Sequence, residues 1–233
     1  MTGVQTCALP ICQVVVGSSP GLAVVGGNYS QTGGSLLEME IEGTTAGTEY
    51  DQLVVTGTAS LDGTLDIPVN AGGGSYTDPA TRGDSDTFVL VDAGSRVGSF
   101  SAVNYDGSLL AAEFTSGDNV RDHVGLGLFR SVNYTATSVE LQNLNAQVGD
   151  TDGDMDVDLL DYNTLSGNFS PAGCVGTCGW VDGDFDNDND IDLADYNSLA
   201  RNFSPAGYGG DASAVPEPSA LVLSLFEIGR AHV

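Results

Sequence analysis

Residues 150–173 (DTDGDMDVDLLDYNTLSGNFSPAG) recur at 184–207 (DFDNDNDIDLADYNSLARNFSPAG), 34 positions further on, with 16 of 24 residues identical. Each copy places Asp at positions one, three, five, seven, nine and twelve of a twelve-residue run. These are Asp150, Asp152, Asp154, Asp156, Asp158 and Asp161, then Asp184, Asp186, Asp188, Asp190, Asp192 and Asp195. Two carboxylates about 5 Å apart repel by about 3 kcal/mol at an effective dielectric near 20. A run that curls such side chains around one point therefore folds only with a cation among them.

The spacing is that of the ligands in an EF-hand calcium loop. Hard oxygen donors in an adaptable shell suit calcium better than magnesium, which prefers fewer ligands and keeps its water. Two calcium ions are expected, one per copy. Position seven of such a loop gives its backbone carbonyl, so Asp156 and Asp190 are expected to add charge but no side-chain bond. Position twelve is Asp here rather than Glu, and its shorter arm requires a closer helix. Position six, where the chain turns sharply, is Met155 in one copy and Asn189 in the other. Asn tolerates a left-handed backbone and Met does so at a cost, so the first loop is expected to be the weaker.

A helix is expected after each loop. Leu160, Leu165 and Phe169 match Ala194, Leu199 and Phe203 as its apolar positions, with Val157 and Ile191 closing each loop onto the core and Ser-Pro-Ala-Gly ending each copy. No helix is expected before the first loop, where Val139–Val148 reads as strand and linker. Residues 149–207 thus resemble a type I dockerin. The resemblance implies that the twelve Asp are calcium ligands and that Leu159-Leu160 and Leu193-Ala194 contact a cohesin-like partner. The alternative is a calcium-stapled module without a partner.

Upstream, the pattern changes to period two, a strand signal. Odd positions from Leu53 to Val69 are mostly apolar, Leu37, Met39 and Ile41 alternate with Glu38, Glu40 and Glu42, and Thr87–Val91, Val132–Ala136 and Val139–Leu141 supply further strands. Gly pairs at 26–27 and 33–34, Gly72–Gly74 and Asp106-Gly107 mark turns, and no helical period precedes about residue 158. The expected fold is mainly β over residues 13–145, followed by a small α module at 149–207. The runs at 17–43 and 50–69 resemble the C-terminal part of β-helical passenger regions of bacterial autotransporter-like proteins, which implies a Gly-rich solenoid end. A β-sandwich would give the same alternation.

Glu38, Glu40 and Glu42 are read as a solvated strand face rather than an acid/base pair, and His123 as a loop residue rather than a general base. No catalytic residue is expected in this fragment; a catalytic domain upstream would belong to another part of the protein. A net charge of −26, with six Arg and no Lys among 233 residues, excludes a nucleic-acid binder, which needs a basic surface. Cys174 and Cys178, with no further ligand nearby, read as a small-loop disulfide or as free thiols rather than a zinc site.

The Val215-Pro216-Glu217-Pro218-Ser219 run followed by apolar residues to Phe226 resembles a PEP-CTERM sorting signal. That resemblance implies secretion to the surface of a Gram-negative-type bacterium, a sorting protease as partner, and an association with extracellular polysaccharide. Residues 208–226 are then linker and truncated signal. Residues 2–11 (TGVQTCALPI) and 228–233 (IGRAHV) can be read back into codons of which the second set is the reverse complement of part of the first. Both match a common sequencing-library adapter, so residues 1–12 and 227–233 are expected not to be native.

Overall fold

The computed structural model describes residues 5–6, 12–16, 20–77 and 85–208. It is mainly β, and among the described residues no helix precedes Leu159. Among the described residues the chain passes four times from a larger sheet to a smaller one. Strands β3 (Leu22–Val25) and β4 (Tyr29–Ser30), after the short N-terminal β1 (Gln5–Thr6) and β2 (Cys12–Val15), lie parallel to β6 (Gln52–Leu61) in the larger sheet. Parallel to β6 runs β8 (Asp86–Gly98), with Leu53 opposite Val91. In the smaller sheet β5 (Ser35–Glu38), β7 (Thr64–Ile67) and β9 (Ala102–Tyr105) are likewise parallel, Leu36 opposite Thr64 and Thr64 opposite Ala102.

The period-two run predicted from Leu53 to Val69 is divided at Asp62-Gly63, where the chain leaves the larger sheet for the smaller. Parity survives the corner, so Leu53, Val55, Ala59 and Leu61 of β6 and Leu65 and Ile67 of β7 all face one core. Only glycine fits the corner itself. Gly63 has φ +75°, and a Cβ there would collide with the Ser35 carbonyl of the preceding pass. In the core, Phe88 takes the edges of Tyr50 and Tyr76 at centroid distances of 5.2 and 5.5 Å, the preferred aromatic geometry.

The last strands reverse direction. β10 (Ser108–Leu109) folds back on β9 through Asp106-Gly107, both at positive φ as a tight two-residue hairpin requires. β11 (Phe114–Ser116), β12 (Asn119–Gly125), β13 (Leu128–Tyr134) and β14 (Ser138–Asn145) form an antiparallel meander, and β14 closes against β8 with Leu141 opposite Phe88. His123 therefore lies in a strand, not the expected loop. Glu40 also departs from expectation. Strand β5 ends at Glu38, the backbone N–H of Glu40 donates to Asp51 Oδ2 at 2.8 Å, and the Glu40 side chain is buried rather than solvated.

Beyond Asn145, among the described residues, stand two helices, α1 (Leu159–Gly167) and α2 (Leu193–Asn202), with a 3-10 turn at Trp180–Asp182 between them. Their shared core is small: Val157, Leu165, Ile191 and Leu199 are buried, as expected. Leu160, Phe169 and Ala194, expected on the same inner face, are exposed instead. The buried positions of the helices are Asp161 and Leu165, and Asp195 and Leu199, four residues apart, so position two of each helix lies about 100° off that inner face.

Candidate metal centre

The two loops are held by the same local chemistry. Asp158 and Asp192 are the N-caps of α1 and α2, accepting from Leu160 N and Ala194 N, each at 2.6 Å. Asp161 and Asp195 close the reciprocal half of the box, accepting from the cap residue's own N–H at 2.8 and 3.0 Å. At the loop turns Met155 has φ 77° and Asn189 φ 67°, so both position-six residues occupy the left-handed region.

The folding brings carboxylates together in four groups of three whose oxygens lie within 4.8 Å of one another. They are Asp150, Asp152 and Asp161; Asp156, Asp158 and Asp161; Asp184, Asp186 and Asp195; and Asp190, Asp192 and Asp195. Position twelve of each loop belongs to both of its groups. Position seven joins them through its side chain, whereas a backbone role was expected for Asp156 and Asp190. Asp154 and Asp188, at position five, lie outside all four groups; Asp154 Oδ1 accepts from Asp156 N at 3.1 Å, and Asp188 Oδ1 accepts from Asp190 N at 3.1 Å.

The electrostatics of the first loop are strained. Burial, with Asp161 and Asp152 adding repulsion, pushes the Asp150 carboxyl up to about 7 despite hydrogen bonds from Tyr208 and Gly153 that oppose the shift. Burial and the neighbouring Asp154 and Asp161 push Asp152 up to about 6, against the pull of Arg121. Asp156 and Asp161 are also raised, chiefly by burial, as are Asp186 and Asp190 in the second loop. Carboxylates in this state favour a proton or a metal cation over standing ionised and uncompensated.

The donor set fits a hard cation. Asp184 is 3% exposed, and its Oδ1 has no hydrogen-bond partner, as have the buried Oδ1 atoms of Asp156 and Asp190. Burying a carboxylate oxygen unpartnered costs about 1–3 kcal/mol or more. A cation bound between the acids offsets that cost.

Several contacts to the loops had no signature in the sequence. The indole N–H of Trp180 donates to the Asp150 carbonyl at 2.6 Å, the Tyr208 hydroxyl donates to Asp150 Oδ2, and the Thr151 hydroxyl donates to Asp161 Oδ1 at 2.8 Å. Each loop also pairs with the end of the other copy. Val157 bridges Ser204 and Ile191 bridges Ser170, both antiparallel, while the N–H groups of Tyr208 and Cys174 donate to the Met155 and Asn189 carbonyls at 2.9 and 3.0 Å. The 34-residue offset thus becomes a two-fold relation in space, and Ser-Pro-Ala-Gly is a pairing segment as well as a helix stop. Cys174 and Cys178 are joined in a disulfide.

No protein-family model matches the chain, and no curated protein or solved structure matches it either.

Proposed function

We propose that this chain is a secreted, cell-surface-sorted calcium-binding protein with a structural, adhesive or extracellular-matrix role, and that each duplicated loop holds one calcium ion. One observation carries the reading: the duplicated twelve-residue spacing converges in each loop on buried acids, with the unpartnered Oδ1 of Asp184 among them. Asp150, Asp152, Asp156, Asp158 and Asp161 would hold one ion, and Asp184, Asp186, Asp190, Asp192 and Asp195 the other. Calcium supplies the positive charge that lets the buried Asp150, Asp161, Asp184 and Asp195 remain ionised beside their more exposed neighbours. The type I dockerin resemblance of residues 149–207 agrees with this assignment.

The parallel stacking of β3, β6 and β8, and of β5, β7 and β9, supports reading the upstream part as the end of a β-solenoid. Surface sorting rests on the sequence alone, because Val215–Phe226 lies outside the described residues. A second reading, an accessory part of a polysaccharide-degrading enzyme or cohesin-dependent complex, is favoured by an apolar groove of about 360 Å³ on the helices. It is lined by Leu159, Tyr162, Tyr196, Leu199, Ala200 and Phe203.

Thermal unfolding of the full chain in chelator and in millimolar calcium tests the metal assignment. A site at a hundredfold excess over its dissociation constant contributes about 2.7 kcal/mol. The helical signal should melt at a clearly higher temperature with calcium; coincident curves would refute the reading.

A further inference from the structure

The two loops share one spacing but not one environment. The first is lodged against the meander of the β part. Arg121, on β12, donates from Nη1 to the Asp152 carbonyl at 2.6 Å and stands 3.7 Å from Asp152 Oδ1. Phe129, on β13, is fully buried under Gly153, where φ is +69° and a Cβ would enter its ring. Trp180 lies against Gly127, which begins no strand but precedes β13, while its N–H holds the Asp150 carbonyl. A small apolar cluster of Phe129, Leu144 and Ala146, with Trp180 and Tyr208 packed on it, joins the two parts of the chain.

The second loop repeats the internal bonds of the first, in which Asp150 accepts from Met155 N at 3.2 Å and Asp161 from Thr151 N at 2.8 Å. Asp184 accepts from Asn189 N at 3.0 Å and Asp195 from Phe185 N at 2.8 Å. Among the described residues no guanidinium is paired with this loop.

We propose that Arg121 and Phe129 of the β part are positioning residues for the first calcium loop, so that calcium occupancy of that loop and docking of the two parts of the chain strengthen each other. The proposal rests on the calcium reading above. The physical reason is preorganisation. Arg121 and Trp180 grip the carbonyls of Asp152 and Asp150, two of the three acids in one group, and Phe129 supports the turn at Gly153 that follows them. A docked β part therefore presents these acids already converged, and fewer rotamers remain to be ordered when the ion arrives. Linkage makes the effect reciprocal: whatever docking adds to calcium affinity, calcium adds to docking.

The test uses the full chain, calcium alone as ligand, and calorimetry with the emission of Trp180, the single tryptophan, followed in parallel. In an Asp184→Asn background, which leaves the first loop, Arg121→Gln and Phe129→Leu should each raise the calcium midpoint about fivefold, the lower end of typical coupling. Trp180 emission should change along the same curve. In an Asp150→Asn background, which leaves the second loop, both substitutions should leave the midpoint where it was. Arg121→Lys, which keeps a donor and the charge, should recover much of the loss. Equal shifts in both backgrounds would mean general destabilisation and overturn the proposal, as would no shift in either, or tighter binding on Arg121→Gln. Failure of the unaltered chain to bind calcium at all would instead remove the reading beneath it.

Discussion

Met155 is one of two residues at which the loops differ in backbone cost, the other being Gly153 at φ 69°, which stands where the second loop has Asn187 at φ 60°. A left-handed conformation costs an ordinary L-residue about 1–2 kcal/mol, and Asn less because its short side chain bonds locally. Met155 at φ 77° bears that cost in the first loop while Asn189 at φ 67° is better suited in the second. Met155→Gly should therefore tighten the first site about fivefold, equivalent to about 1 kcal/mol, whereas Asn189→Gly should change the second site little. Calorimetry in backgrounds that retain one loop at a time reads both effects, and an unchanged first site would show that Met155 is not strained there. This much was legible from position six of the loop. Glu40 was not: alternation along a strand says nothing of where the strand ends, and two residues beyond β5 the backbone N–H of Glu40 bonds Asp51 while its side chain is buried.

At the scale of elements, what the sequence displays is what depends on neighbours in the chain. The Asp spacing and the apolar pairs Val157 with Leu165 and Ile191 with Leu199 are local, and the four apolar residues are buried where the pattern places them. The bridges between Val157 and Ser204 and between Ile191 and Ser170 join residues 47 and 21 positions apart, and no local spacing announces them. Among the described residues four buried apolar side chains serve both helices, so each matters. Leu165→Ala and Leu199→Ala should each cost about 2–5 kcal/mol and abolish the helical transition in chelator. Circular dichroism measures this directly; a helical signal in chelator as stable as that of the unaltered chain would contradict the role assigned to this core.

In the whole molecule the mainly β class was legible because the core face keeps its parity around each corner. The pairing was not. Partners in successive passes stand 30 residues apart between β3 and β6, as with Leu22 and Gln52, but 38 apart between β6 and β8, as with Leu53 and Val91. Corner loops of unequal length hide the repeat from any fixed period. The contacts of Arg121 with Asp152, Phe129 with Gly153 and Trp180 with Asp150 are equally unannounced by any local spacing, and they make the first loop a junction between the two parts of the chain. All of this turns on whether the acids bind metal. The most direct measurement is a calorimetric titration of the full chain with calcium. The account predicts two ions per chain, the second loop filling first, with Asp184→Asn and Asp150→Asn each reducing the uptake to one. No uptake, or uptake of two ions that neither substitution alters, would contradict it.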